Sequence, residues 1–278
     1  MNVKMCALLV LVGLAGAMPR QAAAAVAPHA SYVTIVMMEN RDYASVVGSP
    51  QAPYFNKKLV PQGVLLENSH AVTHPSEPNY LALFSGSTQG LTSDACPVSY
   101  ASANLASRLA AAGKTFIGWA ESMPRDGFTG CYSDDIYARK HDPWVDFTNV
   151  PASANRVYKG LPAPRMADVN WVTPNLCNDM HDCSTSRGDR WLSENLPRII
   201  AWDARNNGLL IVTWDEAAPD LFGANRIPTV LVGPMIQPGA RNRQKIDHYG
   251  VLHTIESIFG LPCIAKDCSA PVIGGIWR

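Results

Sequence analysis

Unbroken apolar runs alternate along the chain with stretches in which apolar positions recur at helical spacing. YVTIVMM (32–38), TFIGWA (115–120), LLIVTW (209–214) and TVLV (229–232) are runs of strand length. Between them, NLASRLAAAGK has helical spacing and ends in a C-cap glycine, Gly113. RWLSENLPRIIAWDARNNG reads as a helix interrupted at Pro197, and HYGVLHTIESIFG as a late helix closed by Gly260. Continuous apolar strands separated by helices are the pattern of parallel strands buried on both faces. The predicted fold class is therefore α/β, a mostly parallel central β-sheet flanked by helices on both faces. Residues 127–183 are rich in Pro, Asn, Asp and aromatics with weak periodicity, and read as an active-site cover.

The amino-terminal pattern differs from the rest. MNVK carries positive charge, MCALLVLVGLAGA is apolar, and small residues follow to AVAP. This is the pattern of a secretory signal over residues 1–27, cleaved after Ala25 or Ala27; the competing reading is an uncleaved anchor. The expected product is a single domain, 28–278, secreted or periplasmic and without a stable membrane anchor.

Six cysteines then remain: Cys96, Cys131, Cys177, Cys183, Cys263 and Cys268. An even number in an exported chain suggests disulfides, and sequence neighbours suggest Cys96–Cys131, Cys177–Cys183 and Cys263–Cys268. No C-x-x-C pair supports a zinc site. The composition, 47% hydrophobic and 17% charged over 278 residues, supplies ample core. The formal net charge of zero gives no reason to expect nucleic acid as a partner.

Two of the strands end alike. The first runs into Glu39-Asn40 and LLIVTW runs into Asp215-Glu216. Ligands of open α/β sheets bind beyond the carboxyl ends of parallel strands. If both strands are central, three carboxylates and an amide meet on one rim, and their repulsion calls for a cation between them. Oxygen ligands suit a divalent metal. The plainer reading is that acidic residues simply end strands at solvent. In THPSEPNYLALFSGS, Ser76 precedes a helical run closed by Gly86. Serine there is a common N-cap, yet a helix N-terminus also favours an anion, and a hydroxyl on a metal could attack phosphorus.

MMENRDY, HPSEPNYLALFSG, RKHDP (139–143), NLCNDMHD (175–182) and TWDE (213–216) occur in that order. Together they resemble the bacterial phosphoesterase family that contains acid phosphatases and phospholipases C, part of the wider alkaline phosphatase superfamily. The resemblance covers nearly all of the mature chain. S-E-P-N-Y is also similar to the T-x-P-N-x-Y nucleophile turn of nucleotide pyrophosphatases in that superfamily. It implies an alkaline-phosphatase-like fold and one divalent metal ion held by Glu39, Asn40, Ser76, Asp215 and Glu216. Ser76 would be the nucleophile, with His141 and His181 as catalytic groups, and Asn40 and His74 as substrate contacts. Family members often carry Asp-Asp where this chain has Asp215-Glu216. No further Asp/His set for a second metal is evident.

Of the remaining histidines, His29 lies beside the cleavage region and His70 flanks the turn. His248 is expected to cap the last helix, and His253, inside it, to be a packed or a surface residue. Trp119, Glu121 and Trp144 are candidates for the substrate mouth or, equally, ordinary core or rim residues, and Asp94, after the nucleophile helix, is a further candidate. The resemblance implies a secreted metal-dependent acid phosphatase hydrolysing small phosphate monoesters through a phosphoserine, faster on the acidic side for poor leaving groups. The alternatives are a phospholipase C making transient lipid contact, and an exported phospho-ligand-binding protein without activity. Larger phospholipase members carry C-terminal additions after the helix that follows TWDE, so the short remainder of this chain favours the phosphatase.

Overall fold

A computed structural model describes Met1 and residues 27–218 and 224–278. All of the expected secretory signal except Met1 and Ala27 lies outside the described residues. The centre is an eight-stranded sheet. Its strands are β1 (Tyr32–Met38), β2 (Val64–Leu66), β3 (Phe116–Ala120), β4 (Asn155–Val157), β5 (Val169–Thr173), β6 (Gly208–Trp214), β7 (Thr229–Val232) and β8 (Arg241–Asn242). The spatial order is β8-β2-β7-β6-β1-β5-β3-β4. Strands β6, β1, β5, β3 and β4 are parallel neighbours, and β7 alone runs the other way.

Burial on both faces explains the continuous apolar runs. Val33, Ile35 and Met37 of β1 face a core built with α1 (Ser76–Ser85), α2 (Leu105–Ala111) and α4 (His248–Phe259). Val36 and Met38 face the opposite layer, against Trp191, Leu192, Leu196 and Ile199 of α3 (Thr185–Asn206). Every residue of α1 is buried, so this helix is held from all sides. Gly113 follows α2 with φ of 71°, and Gly260 caps α4 in the left-handed region.

Two expectations are corrected. The helix containing Pro197 is not broken: α3 runs for 22 residues through it. Pro197 is exposed, so the Ser193 carbonyl it leaves without an N–H faces the solvent side. The apolar stripe on either side of it anchors both halves to the sheet. Residues 127–183 are also more than a cover, because they supply β4 and the central strand β5. The sequence VNWVT is interrupted by Asn170, which is buried but satisfied: its Nδ2 donates to Ala167 O at 2.7 Å and its Oδ1 accepts from Trp119 Nε1 at 3.1 Å.

The three disulfides join Cys96 to Cys131, Cys177 to Cys183 and Cys263 to Cys268. Trp144, a candidate for the substrate mouth, is instead a core residue. Its ring covers Gly118, where a Cβ would lie 2.1 Å from the indole, and its Nε1 donates to Asn155 Oδ1 at 2.8 Å.

Asp203, near the end of α3, is buried beneath Gly208, where a Cβ would lie 2.0 Å from Asp203 Oδ1. Neither carboxyl oxygen has a hydrogen-bond partner among the described residues. Burial alone pushes this carboxyl up to about 8. The native state therefore holds a proton that the unfolded chain releases near pH ~3.9. The stability this proton provides is complete below that value and is lost as pH rises through about 8. Asp203→Asn should flatten the decline. Between about pH 5 and about pH 9, urea unfolding should show the parent losing about 1–3 kcal/mol more than the variant.

Candidate active site

The site forms where β1 and β6 end side by side, paired in register as far as Met38 opposite Trp214. The next residue on each strand is acidic, so parallel pairing brings Glu39 and Asp215 together. Asp215 N donates to Met38 O at 2.9 Å, extending the ladder by one step. Asn40 then turns with φ of 50°, and its N–H donates to Asp215 Oδ1 at 3.0 Å. Its own Oδ1 is buried without a partner among the described residues.

Ser76 is the first residue of α1, and Pro75 occupies the N-cap position. The serine hydroxyl is therefore not a cap. It lies 3.2 Å from both Glu39 Oε2 and Glu216 Oε1. Asp94 accepts from the first-turn Glu77 N–H at 3.0 Å. The preceding turn is organised by Asn79, whose Oδ1 accepts from Val72 N and Thr73 N and whose Nδ2 donates to Thr73 O and Pro75 O. This places His74 Nδ1 on Glu216 Oε2. His70 turns away to Ala224 O and Asn68 Oδ1, so of the two flanking histidines His74 faces the site.

The loop after β5 closes the other side. Asp179 O accepts from Glu39 N at 2.8 Å, and Asp179 Oδ1 from His181 N at 2.7 Å. His141 is buried flat against Tyr80, with ring centroids 5.1 Å apart. Its Nε2 is 3.2 Å from Glu39 Oε1 and its Nδ1 3.5 Å from Asp179 Oδ2. Nε2 makes no aligned hydrogen bond within the described residues. His181 lies beside His141, with centroids 5.7 Å apart, and bonds through Nδ1 to Asp182 Oδ1 at 2.6 Å. Arg41 ties the layers together through Asn40 O, Cys183 O and Thr185 Oγ1.

Four carboxyl groups are thus buried in one cluster. Burial first, then the charges of Asp215 and Asp179, hold Glu39 well above the usual carboxylate range. Burial raises Asp179 in the same way. Asp215 is pushed up to about 7 by burial and by Glu216, and Glu216 to about 7 by burial. Burial, then the charge of Lys140, pulls His141 well below the ordinary histidine value, leaving a neutral imidazole. Tyr80 OH donates to Glu39 Oε1 at 2.5 Å. These groups fit a cation. The buried oxygens Asn40 Oδ1, Asp179 Oδ2 and Asp215 Oδ2 have no partner among the described residues, and the carboxylates repel unless positive charge lies between them. Glu39, His141 and His181 also offer ligand atoms within 4.8 Å of one another. Two imidazoles expected only at the phosphate therefore stand at ligand spacing.

Contacts link all of the residues singled out in the sequence: Glu39, Asn40, His74, Ser76, His141, His181, Asp215 and Glu216. Asp179 and Tyr80 belong with them and were not foreseen. Tyr80 lies four residues after Ser76, one helical turn, and Asp179 two before His181; both spacings were available signals. Trp119 is half-buried, with Nε1 donating to Asn170 Oδ1 at 3.1 Å, and Glu121 is taken up by backbone and side-chain donors. Glu121 accepts from Asn175 N, Asn178 Nδ2 and Trp191 Nε1, holding the loop after β5. Nor does His248 cap α4. Asp247 does so, accepting from Gly250 N at 3.0 Å, while His248 Nε2 meets Asp215 O at 2.6 Å. His253 is half-buried, with Nδ1 on Ala270 O.

The model of the phosphoesterase family matches residues 49–262. A phosphatidylinositol-3-phosphatase of Mycobacterium tuberculosis is 46% identical over 268 residues, covering 94% of this chain and 88% of the relative. An acid phosphatase of Aspergillus fumigatus is 30% identical over 86% of this chain, which spans 57% of that relative's length. Among solved structures, a protein in the alkaline phosphatase superfamily from Vibrio parahaemolyticus superposes with a TM-score of 0.60. It is 11% identical, with 90% of this chain and 72% of that chain covered, a likeness of fold.

The His248 contact with Asp215 O is buried and fixes the strand end that carries two of the carboxylates. His248→Leu leaves that carbonyl without its partner. Urea unfolding should show a loss of about 1–3 kcal/mol.

Proposed function

The chain belongs to the phosphoesterase family and is a phosphoric ester hydrolase, and from that premise we propose a phosphatase that hydrolyses phosphate monoesters through a phosphoserine at Ser76. The observation that carries this reading is the hydroxyl itself. It heads a buried helix, is not used as a cap, and lies between Glu39 and Glu216. A binding protein has no need of a nucleophile there.

Ser76 Oγ attacks phosphorus, forming the Oγ–P bond as the bond from phosphorus to the leaving oxygen breaks. The hydroxyl proton leaves toward a carboxylate oxygen, and Glu216, bonded to His74, provides a path to a half-exposed imidazole. The N-terminus of α1 and Asn40 favour the negative equatorial oxygens. A protonated imidazole, of which His181 is the partly exposed candidate, gives the leaving alkoxide its proton. Water then attacks the phosphoserine with the roles reversed. Glu39, Asp215 and Glu216, with Asn40 and the Ser76 oxygen, would hold one divalent cation, and His141 and His181 are within reach of the same carboxylate. Bound there, the cation supplies the positive charge that offsets the carboxylates and draws electrons from the phosphoryl group.

The name of the mycobacterial relative favours a lipid-borne inositol phosphate monoester among the substrates, and the fungal relatives favour a broader acid phosphatase. Both are monoester hydrolysis. Among the described residues no helix is long and apolar enough to cross a membrane. The three disulfides support a reading of action in an exported, oxidising compartment.

Ser76→Ala should lower turnover of p-nitrophenyl phosphate by about a thousandfold or more. Acid quenching of the parent should trap phosphate on Ser76, and full activity in the alanine variant would overturn the nucleophile. Glu39→Ala and Asp215→Ala should each lose bound divalent metal by elemental analysis, whereas His70→Ala should keep it. A substrate panel separates the chemistries: inorganic phosphate released from p-nitrophenyl phosphate or from vesicles containing phosphatidylinositol 3-phosphate supports the monoester reading. Phosphocholine released from phosphatidylcholine, without monoester turnover, would replace it with a phospholipase C.

A further inference from the structure

The consecutive cations Arg139, Lys140 and His141 have different surroundings. Arg139 is buried and committed to Asp146 Oδ1, through Nε at 3.1 Å and Nη2 at 2.8 Å, and to the carbonyls of Thr129, Val98 and Val145. His141 is buried flat against Tyr80, with its ring nitrogens facing Glu39 and Asp179. Lys140 Nζ has one partner among the described residues, Asp94 Oδ2 at 2.7 Å. The other oxygen of Asp94 accepts from Glu77 N, the residue after Ser76. One carboxylate therefore separates the ammonium from the helix end that carries the nucleophile. The lysine stem is 89% covered, so little further ordering is needed to use its charge.

We propose that Lys140 is a substrate-binding residue that leaves Asp94 for a non-bridging oxygen of the bound phosphate and selects dianionic monoesters over monoanionic diesters. This rests on the phosphomonoesterase reading and adds the residue that sets its charge preference. Lys140 is a lysine ammonium, ordinarily charged up to pH ~10.4, and it is paired with the Asp94 carboxylate at 2.7 Å. Lys140 belongs to the Arg139–His141 turn, which packs against α1 and stacks His141 on Tyr80, and this places it beside the nucleophile helix rather than on a remote surface. Arg41, a further cation near this rim, is already held by Thr185 Oγ1, Asn40 O and Cys183 O through Nε, Nη1 and Nη2. Asp94 acts as a stand-in anion at the N-terminus of α1, where a phosphate oxygen would be equally favoured. A monoester phosphate carries one more negative charge than a diester and gains more from a nearby cation. The competing role is a structural clip joining residues 139–141 to α1.

The test compares p-nitrophenyl phosphate with bis(p-nitrophenyl) phosphate, which share a leaving group, in the metal-loaded parent, Lys140→Gln and Lys140→Arg. For Lys140→Gln, the monoester-to-diester ratio of kcat/KM should fall about tenfold or more. The rise should be in KM for the monoester, and calorimetry should show the Kd of inorganic phosphate weakened about tenfold. Lys140→Arg should stay within about threefold of the parent on both readouts. A folded Lys140→Gln in which both substrates decline together, or whose phosphate Kd is unchanged, overturns the proposal. Where diester turnover is below detection, the phosphate Kd decides. If Lys140→Gln does not fold, acetylation of the parent decides. Mass spectrometry should then show Lys140 protected by phosphate, and equal labelling with and without phosphate overturns the assignment. A parent that hydrolyses neither substrate and binds no phosphate removes the phosphomonoesterase reading itself, whereas an active parent with an unaltered variant removes only the role of Lys140.

Discussion

The mutual repulsion of carboxyl groups held out of water at neighbouring strand ends is the constraint on which the rest of the site depends. Burying an ionised carboxylate costs several kcal/mol even after relaxation, and a second one alongside adds to that cost. Nothing about Glu39 and Asp215 would keep them together if the backbone could yield. Two parallel strands in register, buried on both faces, do not yield. Around them the protein spends its polar contacts on the same few oxygens: Tyr80 OH on Glu39, Asn40 N–H on Asp215, and Ser76 between Glu39 and Glu216. The resulting centre is short of positive charge, and that deficit is what a cation and a phosphate-binding lysine would meet.

The supporting layer is built from contacts that serve backbone groups rather than ligands. His248 fixes the Asp215 carbonyl, Arg41 joins the turn after β1 to the start of α3, and Asp179 secures the Glu39 amide before its carboxyl does anything else. The seven-residue span closed by Cys177 and Cys183 carries Asp179 and His181, so a covalent link limits how far that loop can drift from the sheet.

Much of this was legible because strands and their ends are local signals. Apolar runs that stop at a carboxylate read directly as β1 and β6, and left-handed glycines marked the ends of α1 and α4. The central strand β5 was hidden because Asn170 breaks its apolar run, and only tertiary partners from Ala167 and Trp119 make that amide acceptable. Pro197 misled because its effect depends on which side of the helix meets solvent, which periodicity suggests only faintly. Asp247 takes the capping role expected of His248, since choosing between two polar neighbours at a helix start requires knowing what lies beyond the helix. For Trp144 and Glu121 residue type alone left a mouth and an ordinary core or rim place equally open, and only packing decides between them.

The shared register of β1 and β6 also constrains how this chain can change over evolutionary time. Side chains alternate between faces along a strand, so inserting or deleting one residue within either strand would exchange its core face for the opposite one. The same event would move Glu39 or Asp215 out of reach of its neighbour. Length variation is therefore expected to accumulate in the connections, while these two seven-residue segments keep their length even where their apolar residues are exchanged.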